Sequence, residues 1–252
     1  MDQPPAAYRF ARAVLRVPLT AMTRRDWRGQ EHIPREGGVV VATNHLSHVD
    51  PLTFGHFVND AGRMPKFLAK SEIFDVPFVG SIVRGAGQIP VYRETGDAVG
   101  AFRAALDAVR AGDCVAIYPD GTLTRDPDLW PMVGKTGAAR LSLLTGCPLV
   151  PVAQWGPQTI LPPYHRLPHL FPRTLVHVWA GPALDLDDLR GQEVTHDLLR
   201  VATDRLVAAI VGLLEQIRGR TAPPVRFDPK EAHVPLTGDP AKGRRTQDGD
   251  AR

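Results

Sequence analysis

Cysteine is scarce in this chain: only Cys114 and Cys147 occur among 252 residues. They form no spaced metal motif, and both fall beside strand-like runs, which predicts reduced core residues in a cytoplasmic protein. Long apolar runs are missing as well. No stretch approaches the roughly 18–20 uninterrupted apolar residues that a spanning helix needs. Arg9, Arg12 and Arg16 interrupt the only early apolar segment, so no secretory signal is predicted. No Gly-x-Ser-x-Gly element exists to place a nucleophilic serine. There is no internal repeat, and a net charge of only +3 gives no basis for a nucleic-acid partner. What is present is a core's worth of apolar side chains, 43% of the residues, within reach of one large α/β domain.

The most informative stretch runs from Val39 to Pro51. Val39, Val40 and Val41 form an apolar, β-branched run that predicts a buried strand. A polar cluster follows at once: Asn44, His45, Ser47, His48 and Asp50. Chain leaving a buried strand of an α/β domain delivers its side chains to the rim where ligands bind. On a straight helix His45 and Asp50 would lie about 140° apart, so they meet only if a turn separates strand from helix. A carboxylate on one ring nitrogen would fix the tautomer and leave the other nitrogen to take a proton from a hydroxyl. A plainer reading stands beside this one. Asp50 before Pro51 is a good helix start, and Ser47 with Asp50 resembles a capping box. His45, His48 and Asp50 are also metal-ligand types, but no second cluster lies nearby to complete a site, so no metal is expected.

Charge is concentrated early. Residues 1–30 hold six arginines (9, 12, 16, 24, 25 and 28) against Asp2 and Asp26. Residues 6–17 predict an amphipathic helix with Phe10, Ala13, Val14, Val17 and Ala21 on one stripe and Arg9, Arg12 and Arg16 opposite. Pro18 is expected to kink or restart it. The helix suits an anionic bilayer surface, or equally a docked position on the domain with its arginines in water. Downstream, strands are predicted at Val39–Thr43, Lys66–Ala69, Gln88–Tyr92, Cys114–Tyr118, Leu149–Ala153 and Leu175–Ala180. Helices are predicted at Pro51–Val58, Phe78–Arg84, Asp97–Arg110, Lys135–Thr145 and Thr195–Arg218. This alternation predicts an α/β fold with a mostly parallel central sheet flanked by helices. From Thr221 onward Pro, Gly and charged residues dominate, which predicts a disordered tail over 221–252.

Two further strand ends carry polar groups. Arg93 follows Gly87-Gln88-Ile89-Pro90-Val91-Tyr92, and Asp120-Gly121-Thr122-Leu123-Thr124-Arg125 follows Tyr118-Pro119. A guanidinium, a hydroxyl and a glycine turn are suitable equipment for a phosphate monoester. Taken singly, Arg93 reads equally as surface charge and Asp120-Gly121 as a common turn. Two look-alikes fail on residue grounds. The Asp-x-Asp-Gly-Thr loop of haloacid-dehalogenase-type phosphatases needs a nucleophile where this chain has Tyr118. A P-loop ending at Gly134-Lys135-Thr136 needs a glycine where it has Leu129.

Taken together, Asn44-His45 with Asp50 (an H-x4-D motif), Arg93 after Gly87–Val91, Tyr118–Thr122 and Val150-Pro151-Val152 come in the order of four family blocks. The linking stretch from Phe67 through Lys70 to Phe74 also fits. On these residues the chain resembles the glycerolipid acyltransferases, of the bacterial 1-acyl-glycerol-3-phosphate acyltransferase type. Two departures stand in the third block, which usually has Glu at Asp120 and Arg at Leu123. The resemblance implies an acyltransferase domain over residues 29–220 after a membrane-associating segment, 1–28, on the cytoplasmic face of the membrane. It implies His45 as general base and Asp50 as its orienting partner. It implies Arg93, Asp120, Gly121, Thr122 and Arg125 around the acceptor phosphate, with Asn44, Ser47, Lys70 and Pro151 in support. Acyl-CoA or an acyl carrier protein would donate, a lysophospholipid would accept, and no cofactor would be required. Other acceptors (glycerol 3-phosphate, another lysophospholipid, a glycolipid) and a thioester or ester hydrolase are the alternatives. Deleting residues 1–28 is expected to release the protein from anionic vesicles; unchanged co-sedimentation would refute the membrane assignment.

Overall fold

The computed structural model describes residues 5–92, 98–165, 167–236 and 238–239. Among the described residues seven strands form one sheet: β1 (Thr23–Arg28), β2 (Val39–Thr43), β3 (Pro65–Lys70), β4 (Ile89–Val91), β5 (Cys114–Ile117), β6 (Leu149–Trp155) and β7 (Thr174–Ala180). Their order across the sheet is β1-β7-β6-β2-β5-β3-β4. Every neighbouring pair is parallel except β6 with β7. The helices are α1 (Ala6–Met22), α2 (Asp50–Asp60), α3 (Ser71–Phe74), α4 (Val79–Gly85), α5 (Ala98–Arg110), α6 (Gly137–Thr145), α7 (Pro157–Ile160) and α8 (His196–Arg218). The mostly parallel α/β architecture matches the expectation from the alternating pattern.

Period-two alternation assigns the central strand to two cores. Val40 and Ala42 of β2 join Leu149, Leu206 and Ile210 on one face. Val39 and Val41 join Phe54, Phe57 and Val152 on the other. Both faces of β2 are therefore dry, and its five residues are all buried. Register then sets the site. Ala42 lies opposite Ile117 of β5 and Thr43 opposite Val152 of β6, so Asn44 and Tyr118 leave the sheet side by side at its carboxyl edge.

Three expectations change. The residues Thr23–Arg28, read as part of the N-terminal segment, form β1 and pair in parallel with β7. Their sequence, TRRDWR, gave no strand signal because an edge strand needs little apolar alternation and tolerates charge. A cut after residue 28 would therefore remove strand β1 together with α1, and a cut before Thr23 would leave the sheet whole. Second, α1 runs unbroken through Pro18 to Met22. Pro18 sits on the exposed side, where water can meet the carbonyl it leaves unpaired. Third, part of the expected disordered tail packs on the domain. Val133 N–H donates to the Phe227 carbonyl (3.1 Å), Arg226 pairs with Asp204 (2.8 Å), and Ala222 N–H donates to Glu215 Oε1 (2.8 Å). A segment with little core of its own is ordered here by borrowed partners.

The docking of α1 decides its orientation. Leu19 is buried, the Asn59 amide donates to Tyr8 Oη (2.7 Å), and Arg16 and Arg25 approach Asp60 (3.5 and 3.9 Å). This turns the apolar stripe outward: Phe10, Val14 and Val17 are 59%, 53% and 72% exposed. Among the described residues no helix is long and apolar enough to cross a membrane.

Arg63 is a structural cation that the sequence did not flag. It is 7% exposed and donates to the carbonyls of Pro34 (2.6 Å), Gly37 and Gly112 (both 2.7 Å), tying together the loops that enter β2 and β5. Arg63→Ala should leave these acceptors unpaired and cost about 3 kcal/mol or more of stability, measured by urea denaturation. A loss below about 1 kcal/mol, the worth of one ordinary hydrogen bond, would contradict this role.

Candidate active site

Residues 44–49 form the turn from β2 into α2 that the spacing of His45 and Asp50 demanded. Asp50 opens α2 with Pro51 behind it. Its carboxylate reaches backward across the turn. Asp50 Oδ2 accepts from His45 Nδ1 (2.8 Å), from Ser47 N–H (2.9 Å) and from Leu46 N–H. The bond to Ser47 N–H is the capping-box half of the alternative reading, so one oxygen serves both purposes. Asp50 is fully buried, and its charge is tolerated because these donors and the helix N-terminus face it. The His45 side chain is 17% exposed. With Nδ1 donating to the carboxylate, Nε2 is left as the proton acceptor.

Neighbouring strands complete the support. The Tyr118 ring stacks on His45 with centroids 4.1 Å apart and planes 22° apart. Thr124 N–H donates to the His45 carbonyl (2.9 Å), which fastens the 118–125 loop to the His45 backbone. Ser47 is buried; its hydroxyl donates to the Leu161 carbonyl (2.7 Å) and accepts from Val49 N–H. Asn44 is buried on the other flank, its amide paired with the backbone of Gln154 in β6 (Nδ2 to O 3.0 Å, N to Oδ1 2.9 Å). Pro151 lies within β6 opposite Ala42, and its carbonyl accepts from Gly181 N–H (2.9 Å).

The expected phosphate ligands divide. Arg93 lies outside the described residues. Asp120 is 4% exposed and faces inward, accepting from Met132 N–H (2.9 Å). Burial pushes its carboxyl up to about 7, against the pull of bonds from the Met132 and His45 backbone. Its carboxyl therefore lies in the loop interior, bonded to the backbone that shapes the turn. Gly121 turns the loop at φ 67°, and Thr122 beside it is half-buried. Arg125 is drawn away: its Nη2 donates to the Gly238 carbonyl (3.0 Å), and its guanidinium lies 5.1 Å from the Tyr164 ring centre. Lys70 is also turned elsewhere, its ammonium 2.8 Å from exposed Glu72.

Two residues escaped the sequence reading. A Cβ on Gly121 would lie 2.6 Å from Lys135 Nζ, so this ammonium sits directly over the third loop. Its only sequence trace was the incomplete Gly134-Lys135-Thr136 look-alike. Gln154 is the other, and nothing in its surroundings, Val152-Ala153-Gln154-Trp155, marked it. Trp130 and Trp155 hold Arg218 between them, its guanidinium 3.8 and 4.1 Å from the two ring centres.

Comparison with known proteins bears on the family and the fold. Residues 24–155 match a family model described as Acyltransferase. The chain is 30% identical over 155 residues to the 1-acyl-sn-glycerol-3-phosphate acyltransferase of Bacillus subtilis, covering 60% of this chain and 73% of that protein. It is 32% identical over 125 residues to the protein of the same name from Borreliella burgdorferi, covering 49% and 48% of the two chains. The crystal structure of the 1-acyl-sn-glycerophosphate acyltransferase PlsC from Thermotoga maritima has the same fold. The superposition gives a TM-score of 0.61 at 20% identity over 86% of this chain and 80% of that one.

The raised carboxyl of Asp120 makes a pH-dependent prediction. In the unfolded chain it ionises near 3.8, whereas the folded protein keeps the proton to about 7. The folded state therefore binds more protons between these values and loses stability as pH rises through them. Asp120→Asn keeps an oxygen for Met132 N–H and has no proton to lose. Its melting temperature should rise relative to wild type as pH increases from about 4 to about 7; a difference that stays flat with pH would contradict this.

Proposed function

The chain belongs to the acyltransferase family, and on that premise we propose that it moves a fatty acyl group from a thioester to the free hydroxyl of 1-acyl-glycerol 3-phosphate. The product would be phosphatidic acid. The observation that carries the proposal is the 2.8 Å contact of His45 Nδ1 with buried Asp50, which leaves Nε2 as the base at the open edge of the sheet.

His45 Nε2 takes the hydroxyl proton as the acceptor oxygen attacks the thioester carbonyl carbon. Asp50 stabilises the imidazolium that forms. As the tetrahedral intermediate collapses, the C–S bond breaks and the imidazolium returns its proton to the departing thiolate. The thioester arrives activated, so the proposal needs neither a covalent acyl-enzyme nor a cofactor. We assign the donor to acyl-CoA or acyl carrier protein. For the acceptor phosphate we assign Arg93, on the family resemblance, together with the Gly121–Thr122 turn and Lys135, whose ammonium lies over that turn.

A soluble donor and a lipid acceptor require an enzyme at the bilayer surface. The outward apolar stripe of α1, with the excess of arginine in residues 1–30, supports a peripheral position on an anionic membrane.

His45→Ala should lower turnover by about 10²–10⁴ while leaving the folded circular dichroism spectrum intact. The assay offers a panel of lysophospholipid, glycerol 3-phosphate and glycolipid acceptors with a long-chain donor, and reads products by mass spectrometry. Wild-type-like turnover in the variant would end the mechanism. Free fatty acid as the sole product would replace transfer by hydrolysis.

A further inference from the structure

Gln154 is fully buried near the carboxyl end of β6, and it contacts both ends of the His45–Asp50 turn. On the near side, the last β2–β6 register pair is Thr43 with Val152. Beyond it Asn44 continues the ladder with its side chain: Oδ1 accepts from Gln154 N–H, and Nδ2 donates to the Gln154 carbonyl. Gln154 reciprocates, its Nε2 donating to the Asn44 carbonyl (3.1 Å). On the far side, the Thr53 hydroxyl lies 3.1 Å from both Gln154 Oε1 and the Asp50 carbonyl. One amide side chain thus joins the residue before His45 to the helical turn that begins with Asp50.

We propose that Gln154 is a positioning residue for catalysis, holding the two ends of the 44–53 segment at the separation where His45 and Asp50 meet. The physical reason is that the bonds wound around Asp50 Oδ2 lie within the turn and do not tie the strand end to the helix body, whereas Gln154 reaches both. His45 and Asp50 belong to different elements, one on a strand end and the other on a helix, and these elements pack against different neighbours. A buried amide satisfied on both oxygen and nitrogen is rigid, because leaving either group unpaired is costly in a dry site. An apolar residue of the same size would fill the space and let the two elements drift. A misplacement of about 1 Å can cost on the order of 10²-fold in rate.

The role as stated rests on the acyl-transfer reading above, but the positioning contact can be measured without turnover. The test uses Gln154→Leu, which keeps the volume, and Thr53→Val, which removes one hydroxyl. In proton NMR of the wild type, the His45 ring Nδ1–H bonded to Asp50 should give a downfield resonance, assigned by its loss in His45→Gln. Both variants should move that resonance upfield or broaden it. In steady-state assays Gln154→Leu should lower kcat about 10- to 100-fold and Thr53→Val about three- to tenfold, with KM for donor and acceptor little changed. An unchanged resonance with unchanged kcat, or a raised KM at wild-type kcat, overturns the proposal. If Gln154→Leu does not fold, Thr53→Val decides alone by the same two readouts. If wild-type protein acylates none of the acceptors while the resonance still responds to residue 154, acyl transfer falls and the positioning contact stands.

Discussion

A single carboxylate oxygen governs the arrangement. Asp50 Oδ2 collects three N–H groups, one from the His45 ring and two from the backbone of Leu46 and Ser47. A buried carboxylate is costly unless such donors surround it, and hydrogen bonds to a charged acceptor are stronger than neutral ones. The turn is consequently wound tightly around the carboxylate, and the imidazole is fixed in one tautomer as part of the same structure. Removing the charge would loosen the backbone as well as the base.

The supports of that turn come from elements far apart in sequence. Gln154 holds its start and reaches its helix, Leu161 accepts from Ser47, and Thr124 N–H ties the 118–125 loop to the His45 carbonyl. Tyr118 closes the face of the imidazole. All four depend on the register that brings β2, β5 and β6 to a common edge. The two acids near the base show how environment separates like residues. Asp50 meets a ring N–H, two backbone N–H groups and a helix start, whereas Asp120 is buried beside weaker partners and rises to about 7.

The cations also sort by partner rather than by sequence position. Arg63 bridges carbonyls beneath the sheet, Arg218 is held between two indoles, Arg125 leans on Tyr164 and the Gly238 carbonyl, and Lys70 pairs with Glu72. Only the Lys135 ammonium, among these, lies over the Gly121 turn. Likewise α1 was legible as amphipathic, yet its moment could not say which side would dock. Asp60, Asn59 and the burial of Leu19 turned the apolar stripe outward.

Local pattern was enough for the elements that carry their own signal. The apolar run Val39–Val41, the period of the long C-terminal helix and the alternation of strand and helix signals foretold a mostly parallel α/β sheet. The five-residue spacing of His45 and Asp50 foretold a turn between strand and helix. These are properties of short segments, set by backbone sterics and hydrophobic periodicity. Long-range packing set the rest: β1 at its polar edge, the inward face of Asp120, the partners of Arg125 and Lys70, and the amide bridge of Gln154. A glutamine or a lysine has the same local propensities wherever it stands, and its role is set by the partners that strand register and burial bring within about 3 Å, the reach of a hydrogen bond.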